Sequence, residues 1–338
     1  MKRFIQTVLM MTVLLSALAG CKQRNAPALL PNVSGKAGEI VVVIEREPWE
    51  GNTGAELRTT LSSDTPYLAQ REPLFKLTNV PPGNFNNMFK MHRNILMINI
   101  NPQNQKTGAV YKSDEWAHPQ AVAQINSYDE EGAIALIKEN AAVLQEFFEQ
   151  AERDRIIANS KRYEELGLRP FVEELTGGEM NFPSGYKLKK RTSDFLWIAD
   201  VKQYVNQHVL LYKYPATGTE ADFAPENLLA NMNRVMKDNV PGMVDNSWMI
   251  TSTAIDPTFE SLSYKGLKFM RVRGFWEVYN DYMGGPMVAH AFYSKDGKDI
   301  LVLEAFVYAP KYDKRQYLRQ VESLLYSFTW KNDDSDAK

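Results

Sequence analysis

Two apolar runs, Met287–Lys295 and Lys298–Tyr308, meet at Asp296-Gly297. Asp-Gly between such runs is a strong short-range signal for a β-hairpin, because both residues tolerate the positive φ of a type I′ turn. A two-residue loop also fixes the register: opposed residues carry numbers with the same sum as 296 and 297. His290 then faces Leu303, and Ala289 faces Glu304. Alternation places His290 and Glu304 on opposite sides of the sheet, so they cannot form a base and its orienting acid.

The rest of the second half is similar material. Residues 21–180 hold 12 aromatics and residues 181–338 hold 25. Strands are predicted at 186–190, 195–199, 208–214, 248–254, 260–264 and 267–279, with Lys265-Gly266 as a turn. Helices are predicted at 225–239, stopped by Pro241-Gly242, and at 312–328.

The first half reads differently. Glu39–Glu45 is a continuous apolar run bounded by charges, as expected of a strand covered on both faces. Thr53 and Glu56 have the spacing of a capping box, opening a helix through Ser62. Strands are predicted at 74–80 and 94–100. From Asp129 an apolar stripe at helical spacing continues past Tyr163 until Gly167 and Pro170. That is long for one globular helix, so a break is expected near Ala158–Ser160. The expected class is α+β: two mixed halves with antiparallel-rich sheets, flanking helices and one long helix between them.

The single cysteine forbids an intrachain disulfide and any multi-thiolate metal site. Its position says more. Lys2 and Arg3 precede an apolar run, Val8–Leu18, too short to span a bilayer core. The run ends on Leu18-Ala19-Gly20-Cys21, which resembles a bacterial lipoprotein signal whose thiol is acylated. Two acyl chains on Cys21 suffice for stable anchoring. Residue 22 is Lys rather than Asp, which by analogy with other lipoproteins favours the outer membrane, and the basic flank favours its periplasmic side. The expected organisation is a signal peptide at 1–20, a tether at 21–38, domains at 39–175 and 176–330, and a tail at 331–338.

With 39 basic against 41 acidic residues, the chain lacks the positive excess that a nucleic-acid partner requires. The expected partners are the membrane, through the acyl chains, and an envelope protein or glycan.

In the second half, Tyr212-Lys-Tyr-Pro215, Val240-Pro-Gly242, Arg273-Gly-Phe-Trp276, Met283-Gly-Gly-Pro286 and the long string Tyr308–Gln320 resemble one family, lipoproteins of Bacteroides and relatives grouped as domain of unknown function 4837. Ile40–Ile44, Trp49-Glu-Gly51 and His92-Arg-Asn-Ile95 extend the resemblance into the first half. It implies envelope residence and a mixed architecture, and no reaction.

Common catalytic, nucleotide-binding and metal-binding signatures are absent, and the four histidines are scattered. No cofactor or metal is expected. Arg271 and Arg273, two apart on one strand, suit clamping a carboxylate or phosphate. Trp276 and the nearby Gly284-Gly285-Pro286 complete the candidate ligand-binding set. Glu304, flanked by apolar residues, is a candidate general acid, with Glu277 as a second carboxylate. The bland reading of Glu304 is a salt bridge. The function expected is non-catalytic binding of a partner or envelope ligand through the second half; the alternative is a glycan or peptidoglycan hydrolase using Glu304 and Glu277.

Overall fold

The computed structural model describes residues 29–331. Cys21, the expected signal peptide at 1–20 and residues 332–338 of the expected tail lie outside the described residues.

The first domain holds β1 (Glu39–Val43), α1 (Arg46–Glu50), α2 (Asn52–Leu61), β2 (Lys76–Val80), α3 (Asn87–Lys90), β3 (Asn94–Ile100), β4 (Gly108–Ser113), β5 (Ala121–Ser127), α4 (Glu130–Glu139) and α5 (Ala141–Arg162). Its sheet runs β2-β1-β3-β5-β4. All pairings are parallel except β4 with β5. β1 is covered on both faces, as its unbroken apolar run predicts. Ile40 and Val42 pack with Leu57, Ile137 and Phe148, while Val41 and Val43 meet Phe85, Phe89 and Trp116 from the other side.

The second domain holds α6 (Arg169–Thr176), β6 (Gly178–Glu179), β7 (Lys187–Arg191), β8 (Phe195–Val201), β9 (Asn206–Pro215), α7 (Pro225–Asn239), β10 (Trp248–Thr251), β11 (Thr258–Tyr264), β12 (Leu267–Tyr279), β13 (Gly284–Tyr293), β14 (Asp299–Tyr308), α8 (Arg315–Leu325) and β15 (Thr329–Trp330). An eight-stranded sheet runs β10-β12-β13-β14-β9-β8-β7, with β11 also on β12. Every pairing in it is antiparallel. β13 and β14 pair Met287 with Phe306 through Tyr293 with Ile300, the register predicted from Asp296-Gly297. The loop itself is not the expected two-residue one: only Gly297 has a positive φ, +72°, and its N–H donates to the Ser294 carbonyl at 2.9 Å within a four-residue loop, 295–298, that keeps the same register.

Each face of this sheet has its own core. One face packs Leu211, Val288 and Leu303 against Val172 of α6 and Leu318, Val321 and Leu325 of α8. The other packs Leu210, Tyr212, Val272 and Phe306 against Leu228, Met232 and Met236 of α7. The molecule is α+β, with 31% helix and 36% strand.

Four other local expectations are corrected. The long helix breaks at Asn140 rather than near Ala158–Ser160. Asn140 caps both α4 and α5, and its Nδ2 donates to the Leu136 carbonyl at 2.9 Å. Thr53 forms no capping box: Gly51 is the N-cap of α2, and the Thr53 hydroxyl donates to Glu130 Oε1 at 2.8 Å. Residues 32–34, inside the expected tether, are bridged to the first domain through Asn32 with His118 and Ser34 with His92. Finally, α6 packs in the second core, which moves the domain boundary from 175 into residues 163–168.

Candidate functional site

The candidate set does not converge. β12 alternates, so Arg271 and Arg273 lie on the α8 face, whereas Trp276 lies on the α7 face with Val272 and Val278. The Trp276 indole is buried and donates to the Val307 carbonyl at 3.2 Å. Gly284, Gly285 and Pro286 are not a ligand loop: they open β13, opposite Glu277, Trp276 and Phe275. A Cβ on Gly285 would stand 2.3 Å from the Val307 carbonyl oxygen and 2.9 Å from Trp276 Nε1. These residues hold two strands and a ring together.

The carboxylate pair also separates. Glu277 and Glu304 fall on opposite faces of the sheet by strand alternation and register. Glu304 is fully buried and accepts from the Tyr212 hydroxyl at 2.7 Å, while its second oxygen has no hydrogen-bond partner. Burial raises its carboxyl to about 7, against the opposing pull of Tyr212. The expected salt bridge is therefore replaced by a tyrosine, in a core closed to any substrate. His290 is equally buried, stacked on Phe269 with ring centroids 4.2 Å apart. Burial, and then Arg271, Arg273 and Arg153, push its imidazole well below the usual range.

Arg271 and Arg273 instead join a cleft of about 430 Å³ between the two domains. Arg153 from α5 and Arg315 and Arg319 from α8 complete five arginines, against Glu146, Glu149 and Glu322. Glu322 accepts from Arg273 Nη2 with both oxygens, at 2.6 and 2.7 Å, and lies 3.9 Å from Arg271 Nη1. Arg319 Nε donates to Glu149 Oε2 at 3.0 Å, tying α8 to α5. Arg153 pairs with Glu146 at 3.1 Å and lies over the Tyr326 ring at 4.0 Å. Beyond the lining, Glu260 pairs with Arg271, and Glu72 accepts from the backbone N–H of Lys314 and Arg315. The Nε groups of Arg273 and Arg315 have no hydrogen-bond partner. Both atoms are enclosed by protein, so what the cleft offers an oxyanion is the gathering of five guanidinium groups against three lining carboxylates.

Sequence reasoning found two of the five arginines. The others lie on α5 and α8, far along the chain. Their signal is charge inside apolar stripes: Arg315, Arg319 and Glu322 recur at helical spacing beside Leu318, Val321 and Leu325, and Glu149 and Arg153 flank Phe148 and Ala151.

Among the described residues no group of three or more His, Cys, Asp or Glu could hold a metal ion. No helix among them is long and apolar enough to cross a membrane.

The five-arginine cleft joins two separately recognisable domains. Residues 169–327 match the domain of unknown function DUF4837. Residues 33–161 match a separate family, the domain of unknown function DUF8532. The first-half motifs that resembled DUF4837 thus fall within DUF8532, and the junction at 162–168 agrees with the structural boundary. No curated protein matches. Among solved structures, a Ran-binding protein of Saccharomyces cerevisiae, Mog1p, is 7% identical with TM-score 0.32, covering 46% of this chain and 90% of that one. A Bacteroides thetaiotaomicron protein is 8% identical with TM-score 0.20, covering 47% and 48%. The lipid transfer and protein localization domain of human StarD13 is 11% identical with TM-score 0.22, covering 43% and 89%. Scores this low carry no functional argument for the DUF4837 domain.

Proposed function

We propose that this chain is a lipid-anchored protein of the bacterial cell envelope, held at Cys21 on the periplasmic side of the outer membrane. Its two domains bind an anionic envelope ligand, a carboxylate or a phosphate, without catalysis. The leader, the Leu-Ala-Gly-Cys sequence and the resemblance to envelope lipoproteins support the location. The binding role rests on one observation: five arginines from three elements converge on the interdomain cleft, against three lining glutamates. Arg271 and Arg273 are the second domain's contribution, so the ligand reading of those two residues is retained while Trp276 and Gly284–Pro286 leave the site. The hydrolase alternative loses its support, because Glu277 and Glu304 are divided by the sheet.

Titration calorimetry with inorganic phosphate and with citrate tests the binding role. The expected result is saturable, salt-sensitive binding that Arg273→Gln weakens about tenfold, the loss of one charge-assisted hydrogen bond. Glu277→Gln should leave it unchanged. Absence of saturable binding to either anion in the folded protein would overturn the reading.

A further inference from the structure

A second cavity lies outside the arginine cleft. A groove of about 900 Å³ runs along α5 of the first domain, between that helix and the segment Ser113–Ala121. Its floor is apolar: Ala121, Ala142, Val143, Phe147, Ala151 and Ala158. Val143 is 52% exposed there, an aliphatic side chain left in water. The volume lies within the range of about 300–1,000 Å³ typical of cavities that enclose small ligands. Apolar surface lining a groove gains free energy when an apolar occupant removes it from water.

Two observations indicate the occupant. The described chain begins at Leu29, and the Pro31 carbonyl accepts from His118 N at 2.8 Å. His118 itself lines the groove. The N-terminal segment therefore arrives at the groove's rim. Cys21 stands eight residues before Leu29, a span of up to about 26 Å when extended, enough to reach along the groove. The second observation is charge. The intervening residues include Lys22 and Arg24. The groove's rim carries Asp154, together with Asp114 and Glu146, which already meet His118 and Arg153. Of the cations on that rim, Arg155 is already bound to the Pro119 and Arg93 carbonyls and to Glu152.

We infer that the groove is the docking site of this chain's own N-terminal segment, Cys21–Ala28, and that its apolar floor receives an acyl chain carried by Cys21 whenever the protein is out of the bilayer. This rests on the reading that Cys21 is acylated. Every methylene buried adds to the gain, so even partial insertion offsets much of the cost of holding the lipid in water. In the membrane the bilayer competes for the same chain and the groove empties.

The test uses the full chain, expressed with radiolabelled palmitate and purified, with a benzoylphenylalanine photo-crosslinker placed at Val143 or, as control, at the exposed Tyr282. Detergent is exchanged away before irradiation, and adducts to the labelled N-terminal peptide are identified by mass spectrometry. The expected result is an adduct at position 143 several-fold above that at 282, lost on adding phosphatidylethanolamine vesicles. Ala151→Glu should abolish it, and Ala158→Trp, at an exposed position, serves if that variant does not fold. Labelled Cys21 with no excess adduct at 143 would overturn the docking inference and leave the anchor standing. An unlabelled chain would overturn both.

Discussion

At the scale of single residues, the most consequential group is the Glu304 carboxyl, enclosed on the α7 face with Tyr212 as its partner. Its native value of about 7 lies above the usual 4.5, so between these values the folded state holds a proton that the unfolded chain has released. The stability this gives is complete below about pH 4.5 and is lost as pH rises through 7. At pH 8 the group opposes folding by roughly 3 kcal/mol, scaled from the shift. Glu304→Gln should therefore raise urea-unfolding stability at pH 8 by about 1–3 kcal/mol, with the gain fading towards pH 5. Lower stability of Glu304→Gln at pH 8 would mean that Glu304 is ionised and paired.

The buried histidines act in the opposite sense. Burial lowers His208 to about 4 and holds His290 well below its usual range. Both stay neutral in the fold, while the unfolded chain protonates below about pH 6.5. Stability from these residues is present above that pH and is lost progressively as pH falls from it through the folded values, about 4 for His208. His290→Phe should flatten the decline in denaturant midpoint between pH 7 and pH 5, since the new ring keeps the stack on Phe269 and carries no titrating nitrogen. An unchanged slope would remove His290 from the account.

At the scale of elements, the strands of the second domain were legible because Asp-Gly chemistry and period-two alternation are local signals. Pro225–Asn239 and Leu267–Tyr279 are found as predicted. The misread places have specific causes. Asn140 sits inside an otherwise helical stripe, and its side chain satisfies the Leu136 carbonyl, so nothing apolar changes where the helix breaks. Thr53 has capping spacing, but its hydroxyl and backbone N–H are taken by Glu130, 77 residues on. That carboxylate occupies the helix N-terminus that could otherwise hold an anion.

Trp276 and Gly285 looked like ligand residues because aromatic and glycine positions serve packing and binding equally, and only the pairing of β12 with β13 distinguishes the two. Gly285→Ala should destabilise the protein by about 1–3 kcal/mol, because its Cβ overlaps the Val307 carbonyl. Circular-dichroism melting checks this; an unaltered melting temperature would show that β13 can shift away from β14.

At the scale of the whole molecule, what joins the domains is largely polar. Arg319, 7% exposed, reaches Glu149 and the Leu74 carbonyl. The Glu72 carboxylate receives the backbone N–H of Lys314 and Arg315. Hydrophobic periodicity does not report such contacts, so the cleft was invisible apart from Arg271 and Arg273. Arg319→Met removes one partner of a buried pair, and the expected cost is about 3–5 kcal/mol. Calorimetric melting should also split from one transition towards two as the domains uncouple. A single transition at the original temperature would mean that the ion pairs contribute little to the junction.

The cleft carries the central claim, and a crystal soaked in inorganic phosphate tests it most directly. The account predicts a phosphate between the domains, within hydrogen-bond distance of the Arg271 or Arg273 guanidinium. Arginines still closed on Glu149, Glu260 and Glu322, around a cleft that holds only water, would contradict it.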